Sequence, residues 1–140
     1  MAVNKELFND IADAIEKEPK MYDQSAWGNF TCNTPGCIAG WATHLKGVNP
    51  EEFNEDNLVE NAVRYLFNVT PEEEFPSEFF PVLFYAWWPV SWFTQTGIGI
   101  KGLTVLENTI QPNAHHAAII CRAIADGKIP ENEVLHDKSR

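Results

Sequence analysis

Apolar residues return at three- and four-residue steps over most of this chain, which is the period of helices that bury one face. Val3, Leu7, Phe8, Ile11, Ala14 and Ile15 form one such series, with Lys5, Glu6, Asp10, Asp13, Glu16 and Lys17 between them, and Pro19 ends the helix they predict. Thr34 followed by Pro35 supplies an N-cap and a first-turn proline, predicting a second helix over 35–46 closed by Gly47. Gly36, Gly40 and Thr43 lie at steps of four and three on that helix and form a thin face for close packing. Leu58, Ala62, Val63, Leu66 and Phe67 outline a third helix starting near Asn54 or Asn57.

Thr70, Pro71 and Glu73 repeat the threonine-proline start as a capping box, giving a short fourth helix limited by Pro76. Ser77 is placed to cap another short turn through Phe84, and Trp88-Pro89 marks a break, because the residue before proline is steered away from helix. The alternation of Gly and Ile over 96–102 is the best strand-like stretch, and 103–110 is expected to return to helix. Asn113 opens a long apolar helix over 114–126 that Gly127 closes, and 129–140 reads as a loosely ordered polar tail. These elements predict an all-α fold: a compact single-domain bundle of about five to seven short-to-medium helices with little or no β structure, spanning 1–140. The helices over 35–46 and 114–126 are expected at its centre.

Composition agrees with a well-filled core. The chain has 140 residues, 44% hydrophobic and 12% aromatic, and a globule of this size buries roughly 68 to 70% of the surface its unfolded chain exposes. Twenty acidic against ten basic residues give a formal charge of −10, which repels a phosphate backbone, so nucleic acid is not an expected partner. The first nineteen residues carry charges throughout, unlike a signal or transit peptide, so the expected address is the cytoplasm. The longest uncharged run, 79–100, is interrupted by Pro81, Pro89, Gly97 and Gly99 and reads as buried core, so no membrane span is expected.

Three features could carry chemistry. Cys32 and Cys37 form a C-x4-C pair and are the candidate metal ligands, although a second compact pair of ligands is lacking and no cofactor is assigned. Cys37 falls in the first turn of the predicted second helix, where the helix dipole favours thiolate. With His115 or His116 as base it is the candidate nucleophile of a cysteine-dependent hydrolase. Opposing both is the tendency of free cysteine to serve as a small buried hydrophobe, which is the reading for Cys121 among Ile119, Ile120 and Ala123. Third, Tyr85, Trp87, Trp88 and Trp92 crowd a segment broken by proline. Most of these rings are expected in the core, and any left outside would be typical anchors of a protein interface or a homo-oligomer contact.

The pattern Tyr22-Asp23, then Cys32-x-Thr34-x-x-Cys37-x-Ala39-Gly40-Trp41-Ala42, then Leu83-Phe84 and Trp88-Pro89, resembles a group of small uncharacterised bacterial and phage proteins. Members of that group often have C-G-T-x-x-C-[IVL]-A-G-[WH]-A, so Asn33 departs from a glycine. The resemblance covers about half the chain and implies relatedness without an activity, cofactor or catalytic residue to carry over. The expected function is that of a helical binding or accessory protein that is not an enzyme and engages a protein partner or itself through the aromatic segment.

Overall fold

The computed structural model describes residues 3–23, 37–47, 55–68 and 81–135, with the backbone alone for 55–60 and 135. Among these residues the chain forms six α-helices: α1 Lys5–Lys17, α2 Ile38–Leu45, α3 Glu55–Leu66, α4 Val90–Thr96, α5 Ala114–Ala125 and α6 Glu131–Leu135. Three short strands, β1 Trp88–Pro89, β2 Val105–Leu106 and β3 Thr109–Ile110, form an antiparallel sheet in the order β1-β3-β2. The fold is therefore mostly helical rather than purely all-α. The expected elements over 70–80, together with Cys32, Thr34, Pro35 and Gly36, lie outside the described residues.

Helix α1 buries Leu7, Phe8, Ile11, Ala12 and Ile15 as one stripe. Asn4 starts it, its side-chain oxygen accepting from the Leu7 N–H at 3.1 Å. The same residue anchors α1 to the end of α3: its amide donates to the Tyr65 carbonyl at 3.1 Å, and its main-chain N–H donates to Leu66 at 2.7 Å. Phe8 and Phe67 meet edge to face at 5.9 Å across this junction. Asn68 turns the chain out of α3 with φ of 52°, a left-handed conformation that asparagine tolerates better than most residues.

The main packing pairs are α1 with α5 and α2 with α3, and α1 also touches α2, which joins the pairs. Both helices expected at the centre are deeply buried, but each serves its own pair. Six consecutive residues of α2, Ile38 to Thr43, are buried, so it has no solvent face over most of its length. The Thr43 hydroxyl avoids an unpaired interior position by donating to the Gly40 carbonyl at 3.0 Å. Arg122 of α5 reaches across to Asp13 at 2.6 Å and to Glu16, both on the polar side of α1.

Two expected elements are replaced. The 103–110 segment forms the β2-β3 hairpin, with Val105 opposite Ile110 and Leu106 opposite Thr109. Glu107 and Asn108 make its two-residue loop, and Glu107 takes φ of 55°. Leu103, Leu106 and Ile110 fit a helical period equally well, but Val105, Thr109 and Ile110 are β-branched and β3 finds a second partner in β1. The 96–102 stretch forms no strand. Gly97 caps α4 with φ of 72° and Gly102 completes a turn with φ of 87°, so these glycines act as turn residues. Residues 129–135, expected within the loose polar tail, are packed instead. Ile129 and Val134 are fully buried, and α6 packs on the 3-10 turn Val82–Phe84. Among the described residues no helix is long and apolar enough to cross a membrane.

Candidate functional site

Cys37 sits one residue before α2, as its N-cap, rather than inside the first turn. It is 2% exposed, and burial pushes its thiol up to about 11, outweighing the opposing pull of the Gly40 and Ala39 backbone amides. The helix start that would have favoured thiolate is thus overruled by desolvation. Cys121 lies at 0% exposure on α5, its thiol pushed up to about 12 by burial. Both thiols are free. Tyr22, itself buried, feels both of them, and burial is the first cause that raises its phenol well above the ordinary range. Two neutral thiols and a neutral phenol therefore share the interior between the start of α2 and α5. Among the described residues no three His, Cys, Asp or Glu side chains are grouped to hold a metal ion, and Cys32 lies outside those residues.

The two adjacent histidines have opposite environments. His115 is exposed, whereas His116 is 7% exposed with both ring nitrogens engaged. Nδ1 lies 2.6 Å from Asn113 Oδ1 and Nε2 lies 2.7 Å from the Gly99 carbonyl oxygen. Asn113 is the N-cap of α5, and the same Oδ1 accepts the His116 main-chain N–H at 2.9 Å. Neither nitrogen of His116 is left to take a proton from a thiol, and the geometry builds no dyad with Cys37. His44 packs edge to face on Trp41 at 6.1 Å.

The aromatic segment divides sharply. Trp88 and Trp92 are fully buried, with ring centroids 5.5 Å apart, and the Trp88 indole N–H donates to the Leu83 carbonyl at 3.0 Å. As surface anchors these two are corrected to core, because their rings fill the space between the sheet and α4. Trp87 and Tyr85 are half-buried.

A surface that the periodicity did not reveal lies on the hairpin. Register places Trp88, Ile110 and Val105 in one row across the sheet and Pro89, Thr109 and Leu106 in the other. Trp88 and Ile110 are at 0% exposure, but Val105 at the outer strand is 48% exposed and Leu106 on the opposite row 59%. Among the described residues β2 pairs only with β3, and no strand lies along its outer edge. Ile100, 39% exposed, precedes this strand. The signal available in sequence is the β-branched residues Val105, Thr109 and Ile110 on the two sides of Glu107-Asn108, against which stands the helical spacing of Leu103, Leu106 and Ile110.

A polar cleft of about 340 Å³ opens beside the start of α5, lined by Tyr22, Asp23, Gly102, Leu103, Thr104, Gln111, Pro112 and Asn113. The 97–104 connection that forms one wall leads directly into β2. Hydrogen-bonding groups line this cleft, while the hairpin carries a main-chain edge that is unpaired among the described residues and flanked by two aliphatic side chains. Comparison with protein-family models, with curated proteins and with solved structures gave no match for this chain.

Proposed function

We propose that this chain is a non-enzymatic binding or accessory protein of the cytoplasm, of bacterial or phage type, that engages a polypeptide through the sheet carried by its aromatic segment. The observation that carries the reading is the exposure of Val105 and Leu106 on an outer strand whose far edge has no strand partner among the described residues. An extended segment added along such an edge gains main-chain hydrogen bonds, and alternate side chains then meet the two aliphatic residues. Trp87 and Tyr85, half-buried next to β1, extend the same region on its other margin. The formal charge of −10 disfavours a nucleic-acid partner. Burial of both described thiols argues against nucleophilic chemistry at Cys37.

The test places a photo-crosslinking residue at position 106 and, as a control, at exposed Lys128, in cells that express the protein. Sedimentation of the purified chain is measured alongside, with and without L106D. A discrete polypeptide adduct at 106 but not 128, or self-association abolished by L106D, supports the reading. Equal labelling at both positions together with a monomer at every concentration overturns it.

A further inference from the structure

The hairpin edge and the polar cleft are joined by one stretch of main chain. Gly102, Leu103 and Thr104 wall the cleft and run straight into β2, whose outer edge is unpaired among the described residues. The Gln111 N–H donates to the Thr104 carbonyl at 3.1 Å, one step beyond the pairing of Val105 with Ile110, so the cleft begins where the hairpin ladder ends. Past Thr104 the wall turns: the Leu103 N–H is spent on the Ile100 carbonyl at 3.1 Å and Gly102 takes φ of 87°, so no further ladder is offered there. At about 3.3 Å per residue, a segment laid along β2 comes level with Leu103 two residues past Val105, about 7 Å on. It meets the cleft at that point.

The cleft offers acceptors to whatever enters it. Its volume is about 340 Å³, and its lining includes the Asp23 carboxylate, the Gln111 amide and the Thr104 hydroxyl, with no basic side chain among the described residues that line it. Asp23 already acts on Tyr22 and Cys37 through space. A carboxylate has about four acceptor sites, so a further donor adds to the interactions that Asp23 makes. Asn113 Oδ1 is committed to the cap of α5. What fits is a positive side chain with several N–H donors, and a guanidinium, with five in a planar fork, serves separate acceptors better than a compact ammonium.

We propose, resting on the strand-addition reading of the β2 edge, that the cleft is a specificity pocket for an arginine of the added polypeptide. Antiparallel pairing, the more stable arrangement, runs the segment from Leu106 toward Thr104. Its residues opposite Leu106 and Val105 are then adjacent and lie on opposite faces, each against one of the exposed aliphatic side chains. The arginine follows within three positions on the C-terminal side. The partner is therefore an extended segment with two neighbouring aliphatic residues and an arginine downstream. A second copy of this chain does not fit, because Glu107 follows its own β2 and the same pairing would carry that carboxylate toward Asp23. The formal charge of −10 also favours the approach of a basic segment.

Random dodecapeptides displayed on messenger RNA are selected on the purified full chain, and the recovered peptides are titrated by fluorescence anisotropy against the parent, L106D and D23N, both substitutions being at exposed positions. The expected result is enrichment of adjacent aliphatic pairs followed within three positions by arginine, with binding lost in L106D and weakened about fivefold in D23N. Replacing the peptide's arginine by glutamine should cost the parent the same factor and D23N nothing more, which is the coupling of a direct pair. Peptides that need Leu106 but show no preference for arginine, or whose losses from the arginine and from Asp23 simply multiply, overturn the cleft assignment and leave strand addition standing. Recovery of no peptide sensitive to L106D overturns both.

Discussion

Trp87 and Trp88 are neighbours in sequence with opposite roles, and truncating each in turn tests the division of the aromatic segment. Trp88 is at 0% exposure, lies tilted against Trp92 with ring centroids 5.5 Å apart and donates its indole N–H to the Leu83 carbonyl. W88F keeps one ring but leaves about 40 Å³ unfilled, costing about 1 kcal/mol at about 24 cal/mol per Å³. It also removes the interior donor to Leu83, which adds about 1 to 2 kcal/mol. The expected loss is about 2 to 3 kcal/mol, a large part of the roughly 5 to 15 kcal/mol by which a domain is stable. W88A should cost about 3 to 5 kcal/mol. Half-buried Trp87 has no such commitment, and W87F should change stability by no more than about 0.5 kcal/mol. Urea unfolding followed by far-ultraviolet circular dichroism measures all three variants, with the slope checked for constancy. Equal losses for W87F and W88F, or a W88F midpoint indistinguishable from the parent, would refute the assignment of Trp88 to the core.

Three further outcomes follow from the same contacts and burial. N4A removes both the cap on Leu7 and the bond to the Tyr65 carbonyl, so it should lower stability by about 1 to 2 kcal/mol, with N4D recovering the capping share in chemical denaturation. Cys37, with its thiol raised from 9.0 to about 11, should hold about 100-fold less thiolate than a free cysteine below pH 9, and alkylation without denaturant should be slower by at least that factor. Mass-spectrometric mapping of the alkylated residue measures it, and fast labelling at neutral pH would contradict the burial. The same shifts fix an alkaline limit. Cys37 and Cys121 are raised in the folded state, so the stability they contribute is complete below pH 9 and is lost as pH rises through about 11 and 12. Tyr22, raised for the same reason, acts in the same direction.

Local chemistry determined much of the helical frame from sequence alone. The stripe on α1, the asparagine cap and glycine close of α5, the turn-out at Gly47 and the break at Trp88-Pro89 all depend on residues within a few positions of one another. Periodicity and caps are local signals, so they were legible. The second helix was misplaced by three residues, since Ile38 rather than Pro35 begins α2, and this moved Cys37 from the first turn to the cap. What a side chain does after that is decided by what covers it. Whether Cys37 favours thiolate depended on desolvation by distant parts of the chain, and Trp88 and Trp87 differ only in which of them the sheet and α4 enclose.

The hairpin is the clearest case of tertiary decision. Leu103, Leu106 and Ile110 suit a helix, Val105, Thr109 and Ile110 suit strands, and the pairing of Ile110 with Trp88, twenty-two residues earlier, selects between them. His116 shows the same limit at a single side chain. Sequence places it in the first turn of an apolar helix, three residues after the asparagine that caps it. Only the folded chain brings the Gly99 carbonyl, seventeen residues away, to its second nitrogen. Sequence by itself determined which segments could be helical and where they stop; the tertiary structure alone decided which groups lose water and which acceptors meet them, because those energies belong to contacts between residues far apart along the chain.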